Sequence, residues 1–121
     1  MKKIFVILFV FVATATYAQG NLQMNQVLLL NSTLVSNTNL GTVPSGKIWK
    51  VESFGISYLA SQGGVHLMLN GIEGGLLSPT SFQSDIVKCP IWLPAGTQLG
   101  FENNGAGAMI WFSIIEFNIV P

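Results

Sequence analysis

Few side chains of this sequence could carry acid–base, nucleophilic or metal chemistry. The chain has one histidine, His66, and one cysteine, Cys89. Its five carboxylates are spread along the chain at Glu52, Glu73, Asp85, Glu102 and Glu116. Protein metal sites bring three or four histidine, cysteine or carboxylate ligands together. Because the spacing selects no such set, we expect no metal and no other cofactor.

Catalytic constellations are also poorly represented. A serine or cysteine triad would need His66 as its base, and the sequence contains no Gly-x-Ser-x-Gly elbow. Two of the five carboxylates could form an acid–base pair for glycoside hydrolysis, but their spacing favours no particular pair. We therefore expect a protein that is not an enzyme, and a small glycan-active enzyme is the less favoured alternative.

The composition indicates one apolar, weakly charged domain. Of the 121 residues, 50% are apolar and 8% are charged, and the formal net charge is zero. The chain contains no arginine, so it offers few cations to phosphates, and we expect no nucleic-acid partner. One cysteine cannot form an intramolecular disulfide. The apolar neighbours of Cys89 favour a buried free thiol over an intermolecular bridge or a reactive thiol.

The first 18 residues have the pattern of a secretory signal peptide. Two lysines precede the apolar run Ile4–Val12, which is too short for a resident membrane span, and small residues follow it. We expect cleavage after Ala18, and cleavage after Ala15 is the alternative. The domain then covers residues 19–121, where three lysines against five carboxylates leave a net charge of minus two. The sequence thus predicts an exported protein (released, at the cell surface or in a periplasm) without a stable membrane span.

The chain after residue 18 has the pattern of an all-β fold. No stretch carries a sustained 3.6-residue apolar period, and glycine and proline repeatedly interrupt runs of β-branched and aromatic residues. We expect a single antiparallel β-sandwich of jelly-roll type. Strands are predicted over 26–30 with a continuation over 33–36, over 47–59, over 65–69 with a return strand from Ile72, and over 85–93, 97–101 and 108–120. Loops are predicted over 36–39 and 102–107.

Three local patterns predict the geometry of these strands. Asn70-Gly71 follows the alternating segment Val65–Leu69 and predicts a two-residue hairpin turn, because both turn positions need positive φ. The apolar phase of Lys47–Leu59 shifts midway, which predicts a β-bulge near Glu52-Ser53. Pro90 cannot donate a ladder hydrogen bond, so the strand that contains it is predicted to lie at a sheet edge or a bulge.

The last predicted strand, Ala108–Val120, is apolar on both faces. A sandwich strand normally leaves one face polar. Either both faces are therefore covered within the domain, or one face contacts another subunit. We expect a homo-oligomer, with an interface formed by this strand and by the tryptophan-bearing strand Lys47–Leu59. The predicted interface residues are Trp49, Met109, Ile110, Trp111, Phe112 and Ile114.

Two segments fifty residues apart repeat one pattern. Residues 43–52 and 93–102 each have an apolar-Pro-x-Gly turn, two further residues and then apolar-x-apolar-Glu. Two such halves suit a jelly roll, which consists of two Greek keys. The architecture is similar, by analogy, to that of small oligomeric jelly rolls such as the tumour-necrosis-factor and complement-type globular heads.

The second of these segments resembles the second motif of the cupins, a jelly-roll superfamily. The matching residues are Pro94, Gly96 and Asn103. Leu99 stands where the cupin motif has a metal-binding histidine. The first cupin motif has two histidines and a glutamate as ligands, and this chain offers only His66 and Glu73 for them, with Met68 at the second histidine position. The resemblance implies the jelly-roll fold, and the missing ligands argue against a cupin metal.

Carbohydrate binding is the main alternative function. Ligand sites combine apolar walls with a few polar groups, and sugar sites on β-sandwiches use aromatic platforms with amides at the rim. Trp92, between two prolines, is the ring expected to be exposed, and Asn70, Asn103 and Asn104 lie in turns. The favoured function is an oligomeric, non-catalytic surface or extracellular binding or assembly module. The alternatives are a monomeric carbohydrate-binding module, a module for a surface protein and a fibre subunit.

Overall fold

The computed structural model describes residues 21–34, 38–58, 64–77, 86–103 and 108–120, and none of these residues lies in a helix. They form eight strands: β1 Asn21–Leu34, β2 Thr38–Thr42, β3 Lys47–Tyr58, β4 Val65–Leu69, β5 Ile72–Leu76, β6 Ile91–Leu93, β7 Gln98–Asn103 and β8 Ala108–Val120. The predicted all-β class is confirmed. The predicted signal peptide, residues 1–18, lies outside the described residues.

The strands form two antiparallel sheets of four strands that enclose one core. Sheet A has the order β1-β8-β3-β6, and sheet B has the order β2-β7-β4-β5. Every connection except the β4–β5 hairpin passes from one sheet to the other. Each strand of sheet A has a counterpart in sheet B four places away in the chain: β5 for β1, β4 for β8, β7 for β3 and β2 for β6. This substitution gives β5-β4-β7-β2, which is the order of sheet B counted from its other edge. The two halves of the domain are therefore arranged equivalently.

The core lies between the two sheets. Sheet A contributes the buried side chains of Trp49, Val51, Leu93, Ile110, Phe112 and Ile114, and sheet B contributes those of Val65, Leu67, Leu99 and Phe101. Each large apolar side chain that is removed from water contributes roughly 1.5–3 kcal/mol to folding. Because successive strand residues point to opposite faces, the neighbours of these core residues point away from the core.

The two Pro-x-Gly turns of the sequence repeat hydrogen-bond to each other. The amide of Val43 donates to the carbonyl of Thr97 at 2.9 Å, and the amide of Gly96 donates to the carbonyl of Val43 at 2.9 Å. Gly46 and Gly96 have φ angles of 71° and 84°, which glycine adopts without steric cost. The turns lead into β3 and β7, so the repeat occupies equivalent positions in the two halves.

The predicted hairpin and bulge are both confirmed. Asn70 and Gly71 join β4 to β5 with φ angles of 53° and 74°. The pairing of β3 with β8 shifts its register between Val51 and Ser53, so Glu52 is the extra residue of a bulge. The bulge explains the change of apolar phase that is visible in the sequence.

The strand predicted over 85–93 is wrong in extent. Of its described residues, only Ile91–Leu93 pairs with β3; residues 86–90 have no regular structure, and the peptide bond between Cys89 and Pro90 is cis. Asp85, where the predicted strand begins, lies outside the described residues. Ile91–Leu93 is an edge strand of sheet A, as Pro90 predicts. The loop predicted over 36–39 is also wrong in extent, because Thr38 and Asn39 pair with Phe101 and Gly100 of β7 and begin β2.

Candidate functional site

The outer face of sheet A is unusually apolar for a protein surface. Ten large apolar side chains are exposed among the described residues, and eight of them lie on this face with 38–66% exposure. They are Leu22, Met24, Val27, Leu29, Trp92, Met109, Trp111 and Ile119. We call the surface formed by these eight residues the apolar face.

Cross-strand pairing between β1 and β8 builds most of the apolar face. Leu22 pairs with Ile119, Met24 with Phe117, and Val27 with Ile115. Paired residues of neighbouring strands share one face of the sheet. The outer face of sheet B is more polar and carries His66, Met68, Glu73, Gln98 and Glu102. The two surfaces of the sandwich therefore differ in character, and sheet A is the candidate contact surface.

Trp111 lies over the backbone of the neighbouring strand. Its register partner on β3 is Gly55, and a β-carbon added at Gly55 would overlap the Trp111 indole. A glycine inside a strand often marks such a close approach. The glycine lets the large ring cover β3, while 38% of the residue stays exposed.

Trp92 lies at the β6 border of the apolar face and is 50% exposed. Its ring centroid is 5.6 Å from that of Phe117, and the ammonium group of Lys50 lies 5.5 Å from the Trp92 ring centroid. A cation at this distance interacts favourably with an indole face. The exposed ring that the sequence predicts is therefore present, with a cation beside it.

The predicted amide partners of Trp92 do not gather around it. Asn70 lies in the β4–β5 turn of sheet B, where its Oδ1 accepts a hydrogen bond from the Gln98 amide at 2.9 Å. Asn103 pairs with Val65 at the other end of β4, roughly 17 Å from Asn70 by the rise of a strand. Asn104 lies outside the described residues. The structure does not bring Trp92, Asn70 and Asn103 into one site.

Four of the six predicted interface residues face the interior instead. Trp49, Ile110, Phe112 and Ile114 are buried between the two sheets, so the prediction of a subunit contact through them needs correction. Met109 and Trp111 do point outward and belong to the apolar face. The β1 residues of that face are not among the residues predicted from the sequence. Apolar residues alternate on either side of Asn25, but the bulge at Asn25 shifts the alternation by one residue.

A buried carboxylate at one end of the sandwich was also missed. Glu116 is 3% exposed and shares the inward face of β8 with Ile114. Its Oε2 accepts a hydrogen bond from Trp49 Nε1 at 2.8 Å, and its Oε1 accepts bonds from Asn25 Nδ2 at 2.6 Å and Gln26 Nε2 at 3.0 Å. The alternation from Ile110 through Phe112 and Ile114 could have placed Glu116 inside.

A bulge in β1 supplies two of these donors. The pairing of β1 with β8 shifts its register between Met24 and Gln26, so Asn25 is an extra residue and two successive side chains reach one carboxylate. Lys47 Nζ lies 3.8 Å from Glu116 Oε1 and donates a hydrogen bond to Asn118. No buried side-chain polar atom of the described residues is left without a partner. This cluster holds β1, β3 and β8 together.

The cluster keeps Glu116 ionised. The Trp49 hydrogen bond contributes most to lowering the pKa of Glu116, and the Asn25 and Gln26 bonds and the Lys47 charge add to it, against the opposing effect of burial. A carboxyl group with a lowered folded-state pKa stabilises the fold above its unfolded pKa of about 4.3. That stabilisation is lost as pH falls through the folded-state value.

We therefore expect the free energy of unfolding to fall on acidification, and part of this fall to depend on Glu116. Urea unfolding between about pH 7 and pH 3 measures it, with Glu116→Gln as the comparison. The Glu116→Gln variant should be less stable at neutral pH, and its free energy of unfolding should fall less on acidification than that of the wild type. Parallel pH profiles for the two proteins would contradict the role given to Glu116.

Within the described residues, the remaining chemistry-bearing side chains form no group large enough to hold a metal ion. His66 Nδ1 lies 2.6 Å from Glu73 Oε1, on the outer face of sheet B, and the described residues hold no group of three potential metal ligands. Leu99, at the position of the cupin histidine, is a buried core residue. Burial raises the pKa of the half-buried Cys89 thiol, and the charge of Glu52 adds to this, so the thiolate is disfavoured.

A shallow depression lies on sheet B near Gly100. Its volume is about 270 Å³, and Thr38, Asn39, Met68, Gly71, Gln98, Gly100 and Phe101 line it. The Asn39 side chain already accepts a hydrogen bond from the Gly41 amide. Ligand pockets for small molecules are usually about 300–1,000 Å³ and more enclosed. The apolar face is therefore the stronger candidate.

Comparison with models of known protein families, with curated protein sequences and with solved structures found no match. Within the described part of the chain there is no helix with the length and apolar character needed to cross a membrane.

Proposed function

We propose that the protein is exported and acts as a non-catalytic, homo-oligomeric binding or assembly module. The apolar face carries the proposal, because monomeric proteins seldom expose contiguous apolar patches above a few hundred Å². The eight residues are 38–66% exposed, so together they present several hundred Å² of surface. Each partner in a typical stable interface contributes roughly 800 Å².

A second copy of the chain is the partner that best fits this surface. Among the described residues of sheet A, the outward Lys50 lies 2.5 Å from Glu52, and Lys47 lies 3.8 Å from Glu116, which faces inward. Two copies can thus approach through this sheet without facing an unpaired like charge. Such a contact between identical surfaces can be closed by a two-fold axis.

The connectivity and the N-terminal sequence support the remaining parts of this proposal. Strands that alternate between two four-stranded sheets suit a jelly roll, and the tumour-necrosis-factor and complement-type heads are oligomeric examples of that architecture. This analogy concerns the fold and carries no function. Export is supported by the two N-terminal lysines, the apolar run and the small residues before Gln19.

Light scattering of the chain Gln19–Pro121 tests self-association. We expect one oligomeric mass over a range of protein concentrations, and a lower mass for Val27→Lys, because an ammonium group in an apolar contact loses its hydration. The matched control is Ile72→Lys, since Ile72 is 72% exposed in a strand of sheet B. A wild-type monomer at every concentration would overturn the proposal, and open fibres in electron micrographs would replace the closed oligomer with a fibre subunit.

Carbohydrate binding through Trp92 is a second candidate, favoured by the half-exposed ring and its neighbour Phe117. If the site exists, Trp92→Ala should abolish retention on a polysaccharide column, because the substitution removes the aromatic surface on which a sugar ring would stack. The Trp92→Ala variant should keep the fold, because Trp92 lies outside the core. Retention that survives the substitution excludes Trp92 as the platform.

A further inference from the structure

We infer that β1 is a pairing edge, at which two copies of the chain join antiparallel and extend sheet A from four strands to eight. β1 is one of the two outer strands of sheet A, and among the described strands it pairs with β8 alone. Its 14 residues therefore present a row of backbone N–H and C=O groups on the other side. The inference rests on the proposed self-association and names one contact that mediates it.

The other edges of the two sheets are protected against such pairing. β6 has three residues and lies between Pro90 and Pro94. β2 has five residues and a register shift between Asn39 and Gly41. β5 has five residues, with Glu73 at its second position and a positive φ at Gly75. Short strands, prolines, bulges and charges are the usual means of blocking edge-to-edge association.

β1 has little of this protection. After the bulge at Asn25, the nine residues Gln26–Leu34 keep an unbroken register with β8. This segment contains no charge, no proline and no glycine. A second copy of β1 could thus be added along its length without electrostatic repulsion. Two identical edges therefore meet without like-charge repulsion, which favours a second copy of the chain.

Edge pairing would also double the apolar face. Paired residues must lie on the same face of a sheet, so outward residues such as Val27 and Leu29 must meet outward residues of the other copy. The outer faces of the two copies then form one continuous apolar surface. A second pair of chains can stack on that surface, which places edge pairing and face packing in one closed assembly.

Disulfide geometry separates edge pairing from face packing. A disulfide needs Cα atoms within about 7 Å of each other, and paired strands lie about 4.8 Å apart. Sheets packed face to face lie about 10 Å apart, beyond that limit. Two β8 strands that flank a β1–β1 pair are roughly 14 Å apart. A cysteine on β1 can therefore cross-link across the edge, whereas its register partner on β8 cannot.

The test uses single-cysteine variants of the purified protein in a Cys89→Ser background. Val27→Cys, Leu29→Cys and Asn31→Cys are oxidised alone and as pairwise mixtures, because the two-fold axis can pass through any of these outward positions or between them. Leu29 meets Asn31 when the axis passes at Leu30, the centre of Gln26–Leu34. The control is Ser113→Cys, since Ser113 is the register partner of Leu29. We expect at least one β1 sample to form cross-linked dimer about tenfold faster than the control.

The native mass of each variant, measured before oxidation, separates the possible failures. An oligomeric mass without preferential β1 cross-links overturns the pairing edge and leaves the proposed self-association in place. A monomeric mass for the wild type overturns both. Equal cross-linking of β1 variants and Ser113→Cys indicates random collision and also overturns the pairing edge.

Discussion

Glu116→Gln is expected to lower the free energy of unfolding by about 2–4 kcal/mol. Both oxygens of the Glu116 carboxylate accept hydrogen bonds, one from Trp49 and the other from Asn25 and Gln26. A glutamine has one oxygen and one NH2 group, so a donor would face a donor at one of the two positions. An unsatisfied polar group would remain buried, and the charge that Lys47 faces would be gone.

Urea unfolding at neutral pH measures this effect, and Glu73→Gln is the matched control. The Glu73 side chain is 59% exposed, and its ion-pair partner is His66, whose Nδ1 lies 2.6 Å from Glu73 Oε1. Exposed pairs contribute about 0–1 kcal/mol, so the control should change stability little. If the two substitutions changed the free energy of unfolding equally, the buried hydrogen bonds of Glu116 would not be what stabilises the fold.

Phe112→Ala is expected to lower the free energy of unfolding by about 3–5 kcal/mol, a large fraction of the stability of a small domain. Phe112 is 0% exposed, and its ring lies 6.1 Å from that of Phe54. Removal of the ring leaves a cavity between the two sheets. The neighbouring substitution Trp111→Ala acts on the opposite face of β8, and we expect it to lower the stability of the monomer by about 2 kcal/mol, because the ring is only partly removed from water.

The two variants should therefore fail in different assays. Phe112→Ala should unfold at a lower urea concentration at every protein concentration. Trp111→Ala should stay folded and lose self-association in light scattering, because it removes part of the apolar face. Similar losses of stability in the two variants, at protein concentrations where the wild type is a monomer, would contradict their assignment to opposite faces.

The sequence by itself predicts the features that depend on neighbouring residues. Positive φ at Asn70 and Gly71, the Pro-x-Gly turns and the bulge at Glu52 follow from local steric preferences and from alternation along one strand. The bounds of β8 could be predicted because its 13 residues are mostly apolar on both faces and contain no glycine or proline. The all-β class follows from the sum of these local preferences.

Local pattern could not decide which face of a two-sided apolar strand turns inward. In β8 both faces are apolar, so Phe112 and Trp111 were equally good candidates for a subunit contact. The partner strands decided between them, because Val51 and Leu28 oppose Ile114 on the inward side. Pairing of β2 with β7 likewise places Thr38 and Asn39 in a strand, although the sequence predicts a polar loop there.

The sequence alone determined an all-β domain with its turns, its sparse chemistry and an apolar last strand. Only the tertiary structure decided which surface is apolar and where Glu116 lies. The donors to Glu116 are 67, 90 and 91 residues away in the chain. Such contacts depend on which strands become neighbours, and that choice is made by the packing of the whole core.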